Sequence, residues 1–288
     1  MSINSIIAGA SQKLTGQSRI CFIGGGNMGR SLIGGLIANG YSDKLISVVE
    51  PDAESRQRIA KLYNIDLYES ADDNLSSSDV IVLATKPQVL AEVAQSIRDL
   101  IDDKCLIISI AAGIRLLNLS QWLGSGKAIV RVMPNTPALV QEGMSVLLAN
   151  SHCSETQQGI ANGIMSAVGQ TLWIEDEKHM DTVTAVSGSG PAYFFLIMEA
   201  MQTTARKMGL NAEQAKILTQ QTALGAAKMA LHSEEDVMDL RKQVTSPGGT
   251  TEQALNVLLE GDIHELFRAA LKAASNRSKE LAKDLGEN

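Results

Sequence analysis

Gly24, Gly26 and Gly29 stand in the spacing G-x-G-x-x-G, directly after the apolar run Ile20 to Ile23 and before the helix-like stretch Gly29 to Asn39. In that setting each glycine has its own task. The first permits a tight turn, the second lets backbone approach a pyrophosphate, and the third lets helix and strand pack closely. The helix N-terminus is left aimed at the phosphates, which brings Asn27 and Met28 into the same candidate cofactor site. The spacing also occurs in plain glycine-rich turns; strand before and helix after are what favour a nicotinamide dinucleotide, NADPH or NADH. Glu50 ends the second candidate strand, where a carboxylate accepts hydrogen bonds from the adenosine ribose, and this favours NADH. It also reads as a solvated carboxylate opening the turn Glu50-Pro51-Asp52, with Asp52 as a helix N-cap. Arg56 and Arg58 could still swing toward a 2′-phosphate.

Two further turns face the same crevice. Ala84-Thr85-Lys86-Pro87 closes the third candidate strand, making Ala84, Lys86 and Pro87 cofactor neighbours, although Lys86 also reads as a plain surface lysine. Pro134-Asn135-Thr136-Pro137 closes the fifth. There two prolines stiffen the loop, and Asn135 offers a donor and an acceptor to a nicotinamide or substrate edge, the alternative being a rigid turn alone. Far downstream, Ser246-Pro247-Gly248-Gly249-Thr250-Thr251 is a short loop feeding a helix. Its backbone N–H groups and hydroxyls suit a small anion, or merely cap the helix. The four histidines, His152, His179, His232 and His264, have no partners at catalytic or metal-ligand spacing, so no metal is expected.

The elements that must position these residues follow from patterning. From Arg19 to Thr136 short β-branched runs alternate with helix-like stretches, the mark of βαβ units and a parallel sheet. Candidate strands are Arg19 to Ile23, Leu45 to Val49, Val80 to Ala84, Leu106 to Ile110 and Ala128 to Val132, extended by Met144 to Ala149 and Thr171 to Ile174. Their carboxyl ends line one edge, where ligands bind in open α/β sheets. After Glu175 to Lys178 the strand patterns stop, and Ala, Leu, Met, Gln and Lys take over with helical periodicity. Residues 1–178 are therefore expected to form a Rossmann-like dinucleotide domain, with residues 1–18 as a loose lead-in, and residues 179–288 an all-helical domain. Helices are expected to begin near Pro191, Asn211 and Thr251, with Gly209 as a stop between the first two.

Composition removes several function classes. A net charge of -7 with no basic block argues against nucleic acid. No apolar stretch approaches the length that crosses a bilayer, so no membrane partner is expected. Three widely spaced cysteines, Cys21, Cys105 and Cys153, argue against a disulfide framework or zinc site and make a reducing cytoplasm the default.

VTSPGGTT (Val244 to Thr251), AVSGSGPAY (Ala185 to Tyr193), RVMPNTPALV (Arg131 to Val140) and FIGGGNMG (Phe22 to Gly29) together resemble pyrroline-5-carboxylate reductase along nearly the whole chain from about Arg19. The resemblance implies hydride transfer from NADPH or NADH to the C=N bond of 1-pyrroline-5-carboxylate, giving L-proline. It implies that the loop Ser246, Gly248, Gly249, Thr250 and Thr251 binds the substrate, with the catalytic hydroxyl of Thr251 near the ring nitrogen. It implies helices that interlock subunits in a homodimer or higher homo-oligomer. A protonated imine carbon is already electrophilic, so alignment in a polar site suffices and no base need be present. The nearest rival, a β-hydroxyacid dehydrogenase, needs a lysine where Phe194 follows Gly188-Ser189-Gly190. A non-catalytic dinucleotide sensor would have no use for the complete Ser246 to Thr251 loop.

Overall fold

The computed structural model describes residues 18–71 and 75–286; residues 1–17 of the expected lead-in lie outside them. The chain divides into two compact units, residues 1–188 with 274–288, and residues 189–273. The division thus falls ten residues beyond the compositional change at 178/179, and the end of the chain returns to the first unit.

In the first unit β1 (Ile20–Ile23), β2 (Ile46–Val49), β3 (Asp66–Tyr68), β4 (Val80–Leu83), β5 (Leu106–Ser109), β6 (Ala128–Met133), β7 (Gly143–Ala149) and β8 (Gly169–Trp173) form one sheet. Its order is β3-β2-β1-β4-β5-β6-β7-β8. All neighbours run parallel except β6 and β7, which are antiparallel. The parallel sheet expected from Arg19 to Thr136 is present in β1 to β6, and β7 joins it antiparallel because the chain between β6 and β7 holds only a short helical turn, Thr136–Val140. A parallel crossover needs a dozen or more residues. The patterning also missed β3, a partly exposed three-residue strand beyond β2 with too few residues to show a period.

Strand alternation builds two cores on opposite faces. Ile20, Phe22, Val80 and Val82 pack with Leu32, Ile33 and Leu36 of α1 (Asn27–Ala38) and with Ile164 and Met165 of α5 (Glu155–Ser166). Cys21, Ile23, Ile81 and Leu83 pack with Leu90, Ala94 and Ile97 of α3 (Leu90–Ile97) and with Leu119 and Trp122 of α4 (Leu116–Leu123). Each such aliphatic side chain, fully removed from water, stabilises the unit by about 1.5–3 kcal/mol. Between β2 and β3 runs α2 (Ala53–Ala60), capped by Asp52, whose carboxylate accepts from Ser55 N–H at 2.7 Å.

The region after β8 explains where the units part. A short helix, α6 (Met180–Val183), widens into a π-type turn over Thr184–Gly188. Met180 is buried against Val146 and Leu148. Buried Arg131 pairs at 2.7 Å with Glu177, whose same oxygen accepts from Leu116 N–H at 2.9 Å. Buried Asp181 accepts from the Ser278 hydroxyl at 2.7 Å, tying the chain's last stretch to the sheet unit.

The second unit contains α7 (Gly190–Lys207), α8 (Ala212–His232), α9 (Val237–Gln243), α10 (Thr250–Glu260) and the first part of α11 (Ile263–Gly286). Gly209, at φ +106°, ends α7, and Asn211 caps α8 reciprocally with Gln214. Its helices leave large apolar side chains in water: Phe194, Phe195 and Leu196 are each more than 60% exposed. Patches of this kind mark association surfaces.

Candidate active site

The strand order reverses between β1 and β4, and the crevice outside their carboxyl ends holds the glycine turn. Gly24 has φ +101°, and its N–H donates to Val49 O at 2.8 Å. A Cβ there would meet Ala84 O at 2.9 Å, and one on Gly29 would meet Gly24 O at the same distance. Both glycines are thus demanded by close packing. Gly26 differs: its backbone is extended, and a Cβ would meet nothing within 4 Å. Its hydrogen faces the open cleft, as approach of a ligand to the backbone requires.

The first helical bond of α1 runs from Arg30 N–H to Gly26 O at 2.9 Å. The N–H groups of Asn27, Met28 and Gly29 precede it and have no partner within the helix, and Gly26 caps the helix with no side chain. That is a donor set for a pyrophosphate. Asn27 is exposed and its Oδ1 accepts from Arg30 at 2.6 Å, while the Met28 side chain packs on the core. Any cofactor contact from these two therefore comes mainly from backbone.

A cleft of about 410 Å³ opens beside the turn, lined by Gly24, Gly26, Glu50, Glu69, Ala84 and Lys86 among others. Glu50 is held on both carboxylate oxygens: Oε2 accepts from Gly25 N–H at 2.8 Å and Oε1 from Asp52 N–H at 3.0 Å. Lys86 is exposed at the end of β4, and Pro87 begins the helical turn that follows. Thr85 also lines the cleft, with a buried hydroxyl that has no hydrogen-bond partner among the described residues. Asn135 is not among the lining residues. Its Oδ1 accepts from Met144 N–H at 2.8 Å and its Nδ2 donates to Ser187 O at 3.0 Å, so the side chain joins the strand β7 to the π-type turn. One amide hydrogen is left over.

In the second unit the loop before α10 turns at Gly248, φ +72°. Gly249 N–H donates to Ser246 O at 3.0 Å, and Gly248 N–H donates to the Glu252 carboxylate at 2.8 Å. Both glycine donors are therefore committed, one to the first turn of α10 and one within the loop. The first helical bond runs from Gln253 N–H to Gly249 O, so the N–H groups of Thr250, Thr251 and Glu252 carry no intrahelical bond. Ser246 and Thr250 are exposed, and Thr251 is half-buried. The helix cap is Gly249, not a threonine hydroxyl.

Sequence reasoning missed Glu69, Thr85 and Glu252. Glu69 follows the unrecognised β3; Thr85 lies inside a motif already noted; Glu252 sits three residues past the cap, a spacing that could have flagged a carboxylate turning back on the loop.

The chain is similar to known proteins in both units. A family model for pyrroline-5-carboxylate reductase dimerisation matches residues 177–281, and one for NADP oxidoreductase, coenzyme F420-dependent, matches residues 19–113. The pyrroline-5-carboxylate reductase of Pseudomonas aeruginosa is 50% identical over 269 residues, covering 93% of this chain and 98% of that protein. That of Haemophilus influenzae is 44% identical, covering 91% and 97%. Among solved structures, a pyrroline-5-carboxylate reductase from Coxiella burnetii has a TM-score of 0.88 at 45% identity, covering 92% of this chain and 99% of that one. One from Plasmodium falciparum with NADP bound has a TM-score of 0.81 at 32% identity, covering 92% and 98%.

Proposed function

The chain belongs to the pyrroline-5-carboxylate reductase family, and from that premise we propose how its residues divide the work. It is an NAD(P)H-dependent oxidoreductase that reduces the C=N bond of 1-pyrroline-5-carboxylate to give L-proline, completing proline biosynthesis. The observation that carries this is the near-full-length likeness to enzymes of that one activity. NADH or NADPH, when bound, would supply hydride to the carbon of the protonated imine, leaving the neutral secondary amine of proline, which then takes a proton from water.

The first unit binds the nucleotide. Gly24 and Gly29 hold the turn, Gly26 and the N–H groups of Asn27 and Met28 receive the pyrophosphate, and Glu50 faces the ribose hydroxyls. Ala84 and Lys86 border the cleft after β4, Pro87 follows them outside its lining as the start of the next helical turn, and Asn135 has one amide hydrogen left for the nicotinamide or substrate edge. The second unit binds the imino acid at the loop that holds Ser246, Gly248, Gly249, Thr250 and Thr251. Because the N–H groups of Gly248 and Gly249 are already bonded, the substrate carboxylate takes its donors from the first turn of α10 and from the Ser246 and Thr250 hydroxyls. The Thr251 hydroxyl is assigned to the imine nitrogen. With the imine protonated, these groups need only orient it and tolerate its charge.

The protein is a homo-oligomer, and the exposed apolar side chains of α7 and α8 supply the surface for it. No helix among the described residues is long and apolar enough to cross a membrane. A cytoplasmic location is our reading, supported by three unpaired cysteines. Steady-state oxidation of NADH and NADPH with 1-pyrroline-5-carboxylate, with proline measured as product, tests the function; a folded protein that oxidises neither refutes it.

A further inference from the structure

The carboxyl ends of β2 and β3 bring two carboxylates to one side of the cleft. Glu50 follows β2, Glu69 follows β3, and both line the cleft with Gly24 and Gly26. Glu50 is fixed by the N–H groups of Gly25 and Asp52, one on each oxygen, and each oxygen keeps a further lone pair. The nearest guanidinium is not a free cation. Arg56 Nη1 donates to the carbonyls of Glu50 and Pro51, both at 2.7 Å, and Nη2 donates to the Glu69 carboxylate at 3.1 Å. Its side chain is 21% exposed, held between the turn and β3. Arg58 is turned away onto Glu54 along the exposed helix. Lys86 is the one cation lining the cleft among the described residues, and it follows β4, two strands from β2 in the order β2-β1-β4. At about 4.8 Å per strand that is roughly 10 Å away.

We infer that Glu50 and Glu69 together select NADH over NADPH, with Arg56 as a positioning residue rather than a phosphate ligand. A ribose 2′-hydroxyl donates to a carboxylate lone pair that the backbone leaves open. A 2′-phosphate brings negative charge to the same place, where two carboxylates outnumber one guanidinium already bonded to backbone. Moving Arg56 onto the phosphate would break its bonds to two carbonyls and release the turn that holds Glu50. The inference rests on the nucleotide site proposed above and adds what selects between the two nucleotides there.

Equilibrium binding of NADH and NADPH to the full chain, followed by nucleotide fluorescence with no imine present, reads this without turnover. NADH should bind at least tenfold more tightly than NADPH at low salt, and the ratio should narrow as ionic strength rises, because the exposed Glu69 charge is screened. Glu69→Gln should tighten NADPH binding several-fold relative to NADH; adding Glu50→Gln should shift that ratio further toward NADPH. Arg56→Gln should lower the Tm and weaken the two nucleotides alike. NADPH binding as tightly as NADH, a ratio unmoved by Glu69→Gln, or a loss of NADPH affinity alone in Arg56→Gln would each overturn the inference while leaving the enzyme assignment intact. Binding of neither nucleotide would overturn the inference and the nucleotide site together.

Discussion

Replacing Gly26 with Ala separates a glycine kept for a ligand from one kept for the fold. Gly26 sits at φ −66° and ψ −176°, a conformation open to any residue, and its added Cβ meets no atom within 4 Å. Reduced freedom of the unfolded chain contributes about 0.4–1 kcal/mol of stability, offset by the few tenths or more that alanine loses as an N-cap. The net is within about 1 kcal/mol, or a Tm change of about 2–4 °C at most. The same methyl group projects into the cleft where a pyrophosphate oxygen must reach the first-turn N–H groups of α1. Losing one charge-assisted hydrogen bond there costs about 1.5–3 kcal/mol, a ten- to hundredfold or slightly greater loss of nucleotide affinity. Gly24→Ala is the contrast: φ +101° and a Cβ 2.9 Å from Ala84 O predict a destabilisation of at least about 1–3 kcal/mol from backbone strain alone. Thermal unfolding and NADH fluorescence titration on both variants give the comparison. A Gly26→Ala protein that melts normally and binds NADH with unchanged affinity would refute the placement of the pyrophosphate at this turn.

Three further outcomes are expected. Thr251→Val should lower kcat/KM with 1-pyrroline-5-carboxylate by about 1.5–3 kcal/mol, ten- to hundredfold, with NADH affinity and Tm unchanged, since the helix cap is Gly249; full activity would remove the hydroxyl from the imine. Light scattering should give at least a dimer, and Phe195→Glu on the exposed face of α7 should shift it toward monomer; an active wild-type monomer contradicts this. Burial holds Cys105 and Tyr41 at about 12, with Asp79 adding to each, so both stay neutral in the fold while the unfolded chain ionises near 9 and 10. Their contribution is complete below about pH 9 and is lost as pH rises toward 12, by up to about 1.4 kcal/mol per pH unit for each group; urea midpoints that stay flat from pH 8 to pH 10.5, in wild type and Cys105→Ala alike, would contradict it.

Fully buried strands announce themselves because each must be apolar on both faces, which is why β1, β4 and β5 stand out within a residue or two of their ends in the sequence. β3 is short and half-exposed, so burial left no such mark on it. The reversed direction of β7 was legible in principle, since the segment from Pro134 to Glu142 is too short for a parallel crossover. The compositional change and the contact-based division differ by ten residues because Met180–Gly188 is helical in composition while Met180 packs into the core of the sheet unit, which only tertiary contacts decide.

For polar groups the limit is different. Residue type says what a side chain can bond to, but its availability to a ligand depends on which bonds the fold has already made. Asn135 and Arg56 each looked free to meet a cofactor; each bridges backbone segments, and Asn135 keeps a single amide hydrogen beyond those bonds. Gly248 and Gly249 supply donors in principle, yet both N–H groups are already bonded, one to Glu252 in the first turn of α10 and one to Ser246 in the loop. The glycine turn at Gly26 shows the opposite state, an extended residue facing an open cleft at the start of a helix whose first donors have no helical partner. An anion site is marked less by the residues it contains than by the hydrogen bonds they have not made. By that criterion the proposed pyrophosphate site at Gly26 has its donors free of the helix, while the proposed substrate loop would offer its helix N-terminus and its hydroxyls rather than its glycine pair.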